Sequence, residues 1–399
     1  MSVQKTKFKI LVFAPYYPPH IGGLETHAAE FNQHLAARGH QIITFAPQLP
    51  ANAPAKETKE KGKLTIIRYP AWEIIPNYPL PKFWSPTFWR LFRRLNFTDF
   101  DLVITRTRFF FSSFLGLLYA KFRRTKLVHI EHGSDFVRLN KKLYDFIARL
   151  YDYTIGKAIF KFSDLNIAIS HRMVKFIQKF NPRPCPVIQR GIQIDKILAV
   201  PPDKKLAQQY KGYVIMTFVG RLIGTKAVDN LLIAFSSLLK KLPSPQKNKI
   251  ILFVIGDGPE KKTLQNLART LRINKQVKFW GAKPLPEVIS LLKISDIFIN
   301  PSNTEGLPTS VLEAGLCQNA IIATNVGGTN EIIQNAYNGY LIPPGSSQII
   351  AEKMLALISS PDKMKLFGQK AQQTIKQKFN WKKSIQKYEK ELAKLLAKK

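Results

Sequence analysis

The sequence predicts two doubly wound parallel α/β domains in tandem, and three observations carry that reading. Short β-branched or aromatic runs alternate with longer helical periodicities from end to end, as in parallel sheets with crossover helices. The series restarts once, at Tyr213–Gly220, after a weakly patterned stretch. The chain has 399 residues, too long for one typical core but suited to two of roughly 150–200 residues each.

In the first half, strands are expected at Lys7–Ala14, Gln41–Phe45, Leu64–Tyr69, Asp101–Thr105, Lys126–Ile130, Asp164–Ile169 and Pro186–Gln189. Helical patterns fall between them, for example Glu25–Arg38 and Phe109–Arg123. The polar, Pro/Lys-rich stretch Gln48–Lys63 is expected to be a mobile loop, and Ile194–Gly212, with Pro201-Pro202, a linker. Second-half strands are expected at Tyr213–Gly220, Lys249–Ile255, Gln276–Trp280, Asp296–Asn300, Ala320–Thr324 and Tyr340–Ile342. The tail Trp381–Lys399 reads as an amphipathic helix, with Ile385, Tyr388, Leu392, Leu395 and Leu396 at helical spacing. Domain limits are drawn at 1–195 and 196–375. Residues 376–399 are expected to return to the first domain, because their apolar stripe needs burial. Two such sheets are expected to bind ligand at their carboxyl ends, in a cleft between the domains.

Composition narrows the class. Apolar residues make up 45% and charged residues 22%, ordinary for a globular protein. Cys185 and Cys317 are far apart without metal-binding spacing, which argues against a disulfide scaffold or structural zinc and for a reducing compartment. No secretory signal is visible, and the longest uncharged apolar run, Phe109–Ala120, is too short to span a bilayer. The net charge of +35 is abnormal. It is spread evenly, with 30 Lys/Arg against 13 Asp/Glu in residues 1–195 and 31 against 13 beyond. Anionic partners are favoured, but no nucleic-acid-binding module is recognisable, so nucleic acid is not the expected partner.

Three glycine-bearing turns each follow a strand and precede a helix: Pro18–Glu25 with Gly22 and Gly23, Gly220–Lys226, and Gly256–Glu260. Glycine allows close backbone approach there, and a helix N-terminus offers unpaired N–H groups to an anion. None is a GxxxxGK[ST] loop. Arg221 and Lys226 flank the second turn, where a guanidinium and an ammonium suit a diphosphate leaving group; the plain alternative is two solvated cations. The densest segment is 300–313, Asn-Pro-Ser-Asn-Thr-Glu-Gly-Leu-Pro-Thr-Ser-Val-Leu-Glu. Pro308 is expected as the first helical residue, which leaves Glu305 on the preceding loop and Glu313 on the helix. Two carboxylates near a helix start also fit capping and the macrodipole without any ligand. His132 follows a strand end beside Gly133, and His20 and His27 flank the first glycine pair.

These pieces, in this order and over nearly the whole chain, resemble glycosyltransferase family 4, retaining enzymes of the GT-B fold. The likeness runs through Gly22-Gly23-x-Glu25, Glu131-His132-Gly133, Gly220-Arg221…Lys226 and Gly256-Asp-Gly-Pro259. It is strongest in Pro301-Ser302-x-x-Glu305-Gly306, Glu313-Ala314, Val326-Gly-Gly328 and Asn338-Gly-x-Leu-x-Pro-Pro-Gly345. The resemblance implies two Rossmann-like domains facing each other across a cleft, and transfer of a hexosyl group from a nucleotide diphosphate sugar. Arg221 and Lys226 would neutralise the diphosphate, Glu305 would hold sugar hydroxyls, and Glu313 would grip the ribose. Gly306 and Leu307 would offer backbone N–H groups near Glu305. Gly22 and Gly23 would form the loop closing on phosphate and acceptor, with His132 near the transferred sugar. No metal or other cofactor is implied, and no protein general base. The alternatives are a nucleotide-sugar epimerase of similar fold, or a non-catalytic sugar-nucleotide- or RNA-binding protein.

The chain departs from the family pattern at three places. Arg190-Gly-Ile-Gln193 stands where members often read Asn-Gly-(Val/Ile)-Asp, and Ala227 and Gln318 replace common glycines. Residues 72–124 combine Trp72, Phe83, Trp84, Phe88, Trp89 and Phe92 with Lys82, Arg90, Arg93, Arg94, Arg123 and Arg124. The helical stripe Phe88, Leu91, Phe92, Leu95 is expected to meet an anionic membrane, whereas Phe109–Phe122 is expected to pack on the sheet. The acceptor would then be a lipid-linked or cell-surface glycan, and the enzyme cytoplasmic, peripheral on the inner face of the plasma membrane.

Overall fold

A computed structural model describes residues 7–20, 22–75, 78–136 and 142–397. The chain forms two compact units, Met1–Gly191 with Trp381–Lys399, and Ile192–Asn380. The divisions thus fall after 191 and 380 rather than after 195 and 375.

In the first unit the strands are β1 (Lys9–Phe13), β2 (Gln41–Pro47), β3 (Lys56–Lys59), β4 (Leu64–Tyr69), β7 (Leu102–Arg106), β8 (Lys126–Glu131) and β9 (Leu165–Ala168). A separate antiparallel hairpin pairs β5 (Ala71–Ile75) with β6 (Tyr78–Pro81). The sheet order is β3-β4-β2-β1-β7-β8-β9, parallel except for the edge strand β3. The chain enters mid-sheet at β1, winds to one edge, then crosses back to β7, which sets a switch point between β1 and β7. The strands read as near-continuous apolar runs because helices cover both faces. On one face the helices Pro86–Leu95, Phe111–Phe122 and Lys157–Phe162 share a core with Leu11, Phe13, Phe45 and Val103. Elsewhere in the unit the helix Trp381–Ala397 packs on Gly23–Ala37, with Ile385, Tyr388 and Leu392 buried and Tyr388 edge-on to Phe31 at 4.7 Å. Glu389 fastens it by a bidentate pair with Arg38, both contacts at 2.7 Å.

The second unit contains β10 (Val214–Val219), β11 (Ile250–Ile255), β12 (Val277–Gly281), β13 (Ile297–Asn300), β14 (Ala320–Thr324) and β15 (Tyr340–Ile342). Its order is β12-β11-β10-β13-β14-β15, all parallel, with the switch point between β10 and β13.

Several expectations are corrected. Gln48–Lys63 contains the edge strand β3. Pro186–Gln189 forms no strand, only a bridge from Val187 to Ala168. The expected linker carries the short helices Ile194–Ala199 and Lys204–Gln209. Pro308 caps the helix Thr309–Leu316 instead of opening it. The stripe Phe88, Leu91, Phe92, Leu95 does not face outward: Phe88 and Leu95 are buried, and Leu91 and Phe92 pack on the same core. An aromatic sheet face is a better partner for that stripe than water. The outward side of this helix carries Trp89, Arg90, Arg93 and Arg94, which with Pro86 and Phe97 line a shallow groove of about 490 Å³.

Candidate active site

In the second unit the turn after β10 and the loop after β13 stand on either side of the switch point. A 3-10 turn, Gly224–Lys226, leads through Ala227 into the helix Val228–Lys241. The two segments are joined directly. Lys226 Nζ lies 2.5 Å from Glu305 Oε1, and Asn303 N donates to the Thr225 carbonyl at 2.8 Å. Ser302 Oγ (2.7 Å) and Asn300 Nδ2 (3.3 Å) donate to the same Glu305 oxygen. The Glu305 carboxylate is largely buried, so these donors and the ammonium replace the water it gives up.

Glycine geometry fixes the surroundings. Gly327 has φ +57°, and a Cβ there would fall 1.9 Å from the Glu305 carbonyl oxygen, so Val326-Gly-Gly328 backs the Glu305 loop closely. Gly328 N donates to the Gly306 carbonyl at 2.6 Å. Gly256 lets the third turn lie against the second, because a Cβ there would fall 1.8 Å from the Gly220 carbonyl oxygen. Leu222 N donates to the Asp257 carbonyl (2.8 Å) and Glu260 N to the Leu222 carbonyl (3.1 Å), so the third turn braces the second. Arg221 is exposed on that second turn, Glu313 lies half-buried on Thr309–Leu316, and Leu307 is buried.

Ala227 and Gln318, the two replaced glycines, both adopt left-handed backbone, with φ +48° and +65°. The family glycines therefore match a conformational demand that this chain meets with side chains in place.

In the first unit the turn after β1 presents Gly22 and Gly23 at the start of Gly23–Ala37. The Glu25 carboxylate folds back over this turn: a Cβ on Gly22 would fall 2.3 Å from its Oε2, and His20 Nδ1 contacts its Oε1 at 2.6 Å. The turn thus holds a carboxylate where the sequence predicts a phosphate.

His132 follows β8, and its Nε2 lies 3.3 Å from His27 Nδ1. Arg106 Nη1 donates to that same His27 nitrogen at 2.9 Å, so His27 Nδ1 accepts. His132 Nδ1 lies 3.3 Å from Thr107 Oγ1 and 3.2 Å from the Ile130 carbonyl. Burial, and then the positive Arg106, hold His132 down to about 3; His27 is lowered by burial and by His132. Both imidazoles are therefore neutral at pH 7. Burial lowers Arg106 to about 10, still a cation at that pH, stacked 4.6 Å over Phe31. Burial works against the Glu131 carboxylate, but Arg108 and His129 outweigh it and hold the group down at about 2. Glu131 accepts from His132 N (2.9 Å) and Gly133 N (2.6 Å), and so fixes the turn that carries His132. Arg190 is buried against Glu30 at 3.4 Å, and Trp381 Nε1 donates to the same Glu30 oxygen at 2.8 Å.

Residues 21–196 match the family model described as Glycosyltransferase Family 4, and residues 202–374 match that of glycosyl transferases group 1. An uncharacterized glycosyltransferase of Methanocaldococcus jannaschii is 41% identical over 96% of this chain and 98% of its own. The chain belongs to glycosyltransferase family 4. The alpha-monoglucosyldiacylglycerol synthase of Acholeplasma laidlawii is 24% identical, over 83% of this chain and 84% of its own. HepE of Anabaena, solved in complex with UDP-glucose, superposes with a TM-score of 0.74 at 19% identity, covering 98% of this chain and 99% of its own. That likeness establishes the GT-B fold.

For this glycosyltransferase, sequence reasoning named Lys226 and Glu305 separately and missed that they touch. Glu131 and Ser302 appear in the sequence motifs without a role, and Arg106 is not singled out at all. A charged residue ending an otherwise apolar strand, Leu102-Val-Ile-Thr-Arg106, was the available signal for Arg106.

Proposed function

We propose that this glycosyltransferase retains anomeric configuration, taking a hexosyl group from a nucleotide diphosphate sugar bound by the second unit. The Lys226–Glu305 contact at the β10/β13 switch point carries the reading. It sets a cation for a departing phosphate beside a carboxylate for sugar hydroxyls, in the position where doubly wound sheets bind ligands. Arg221 on the same turn adds a second cation, Glu313 is assigned the ribose hydroxyls, and Gly306 and Leu307 are assigned backbone contacts to the donor. The UDP-glucose held by HepE supports this donor class.

In the proposed reaction the acceptor oxygen attacks the anomeric carbon from the face the phosphate leaves. The carbon–oxygen bond to the diphosphate breaks as the new glycosidic bond forms. The acceptor proton passes to the leaving phosphate oxygen, so no side chain serves as base and the two cations do the work of a metal. Gly22 and Gly23 are assigned the phosphate and acceptor side, which requires the Glu25 carboxylate to swing out of that turn. His132, neutral and fixed by His27, is assigned the transferred sugar.

The acceptor is proposed to be a lipid-linked or cell-surface glycan at the cytoplasmic face of an anionic membrane. Exposed Trp84 and Trp89 beside Arg90, Arg93 and Arg94 support this, as does the lipid product named for the Acholeplasma relative. The test is a thermal-shift screen of nucleotide sugars followed by an assay of nucleotide release. A donor at 100 times its Kd adds about 2.7 kcal/mol. Absence of any shift across UDP- and GDP-sugars would reject the reading.

A further inference from the structure

We propose that the helix Lys142–Tyr151 and the turn after it form an insertion element that seats the first unit in an anionic lipid bilayer. The proposal deepens the membrane reading above and names a part of the chain outside residues 72–124.

Leu143, Phe146, Ile147 and Leu150 recur at i, i+3, i+4 and i+7, the spacing that surface helices normally turn toward a core. Here the stripe faces out: these four are 66%, 65%, 52% and 54% exposed, while Ala148 is buried. Tyr144 and Tyr153 extend the exposed face. Contiguous apolar surface of this kind marks an interaction site in a soluble domain. The element is anchored firmly at its far end. Asp152, buried, takes a bidentate pair from Arg108 at 2.9 and 3.0 Å, and the Tyr151 ring lies edge-on to Phe109 at 5.5 Å. The stripe is thus held outward by a fixed base.

Charge selects the occupant. Arg149 lies within the element, and Lys157, Lys161 and Lys179 are exposed around it. Arg149 and Lys179 both sit 5.8 Å over the Phe136 ring, which also contacts Tyr153 at 5.6 Å, so the cations rim the apolar surface. On the acidic side, Asp145 and Asp135 remain, because Asp152 is taken up by Arg108. A second copy of the chain would set two basic rims against each other. An anionic bilayer satisfies both features at once, apolar residues at the acyl boundary and cations among the headgroups.

The experiment is flotation of the full chain with vesicles of phosphatidylglycerol and phosphatidylcholine, and of phosphatidylcholine alone, at low and high salt. Wild type is expected to float with the anionic vesicles. Phe146→Ser/Ile147→Ser is expected to weaken partitioning at least about tenfold at every salt concentration. Arg149→Glu/Lys157→Glu/Lys161→Glu is expected to lose it chiefly at low salt, by roughly fivefold or more per charge. Phe146→Trp should show bromolipid quenching beyond that of the five native tryptophans in wild type. Binding of UDP-glucose, measured on the same variants by calorimetry, keeps the donor reading separate: it should be unchanged if only the membrane contact is lost. Failure of wild type to float, equal flotation of the serine variant, or a dimer dissolved by that variant without any flotation would each overturn the proposal.

Discussion

Replacing Lys226 by alanine separates a structural ion pair from a catalytic one. The ammonium is about one-fifth exposed and sits 2.5 Å from a carboxylate that also has Ser302 and Asn300 as donors. Its removal therefore leaves Glu305 hydrogen-bonded, and the fold should lose only about 1 kcal/mol. In a unit of this size that lowers Tm by roughly 2–4 °C. Loss of a preorganised charge at the developing anion is larger, about 2.7–4 kcal/mol, or on the order of 100- to 1,000-fold in kcat. Glu305→Gln, which keeps the Ser302 contact, should likewise lose rate with little change in Tm. The assay is steady-state nucleotide release with the donor found by thermal shift, beside a melting curve for each variant. Turnover of Lys226→Ala within fivefold of wild type, with its fold intact, would refute the assignment.

Activity should survive EDTA followed by dialysis; a requirement for added Mg²⁺ or Mn²⁺ would contradict the proposed role of Arg221 and Lys226. Stability should fall with acidity below pH 6.5, the ordinary histidine value, because the unfolded chain takes up protons there that the folded His27 and His132 refuse until about pH 3 for His132. Melting curves between pH 7 and 5 should show a shallower slope for His132→Gln, and equal slopes would dismiss the idea. Gln318→Gly should raise Tm by a few degrees, since φ +65° costs a side chain about 1 kcal/mol that glycine avoids; an unchanged or lower Tm would show that the glycine's unfolded entropy wins. Arg90→Glu/Arg93→Glu/Arg94→Glu should reduce flotation with anionic vesicles at low salt, and equal flotation would remove that face from the proposed membrane contact.

What could be read from sequence follows from burial. Strands such as Ile250–Ile255 announce themselves because a parallel strand covered on both faces must be apolar throughout. The edge strand Lys56–Lys59 and the hairpin strand Tyr78–Pro81 could not be read this way. One is polar because water reaches it, the other contains two prolines, and both depend on a partner strand. The Phe88–Leu95 stripe was visible, but amphipathicity does not say whether a sheet or a membrane receives it, and here the sheet does. Glu305 and Lys226 were legible as residue types at glycine turns. Their contact spans 79 positions of sequence, and the Arg106–His27 contact likewise 79, distances over which periodicity carries no information.

The return of Trp381–Ala397 to the first unit makes the second unit an insertion within the first. Gly191 and Trp381 are the stems of that insertion, so close that a Cβ at Gly191 would fall 2.4 Å from the indole. During synthesis, Ile192–Asn380 is complete as a contiguous stretch, whereas the first unit still lacks its last helix. The element synthesised first is then the last to close, and it waits unfinished while its guest can already fold. A chain that ends short of Trp381 would leave Phe31 and Arg106 without the aromatic cover that Trp381 and Tyr388 provide, so emergence of Trp381–Ala397, not of residue 191, completes the host domain.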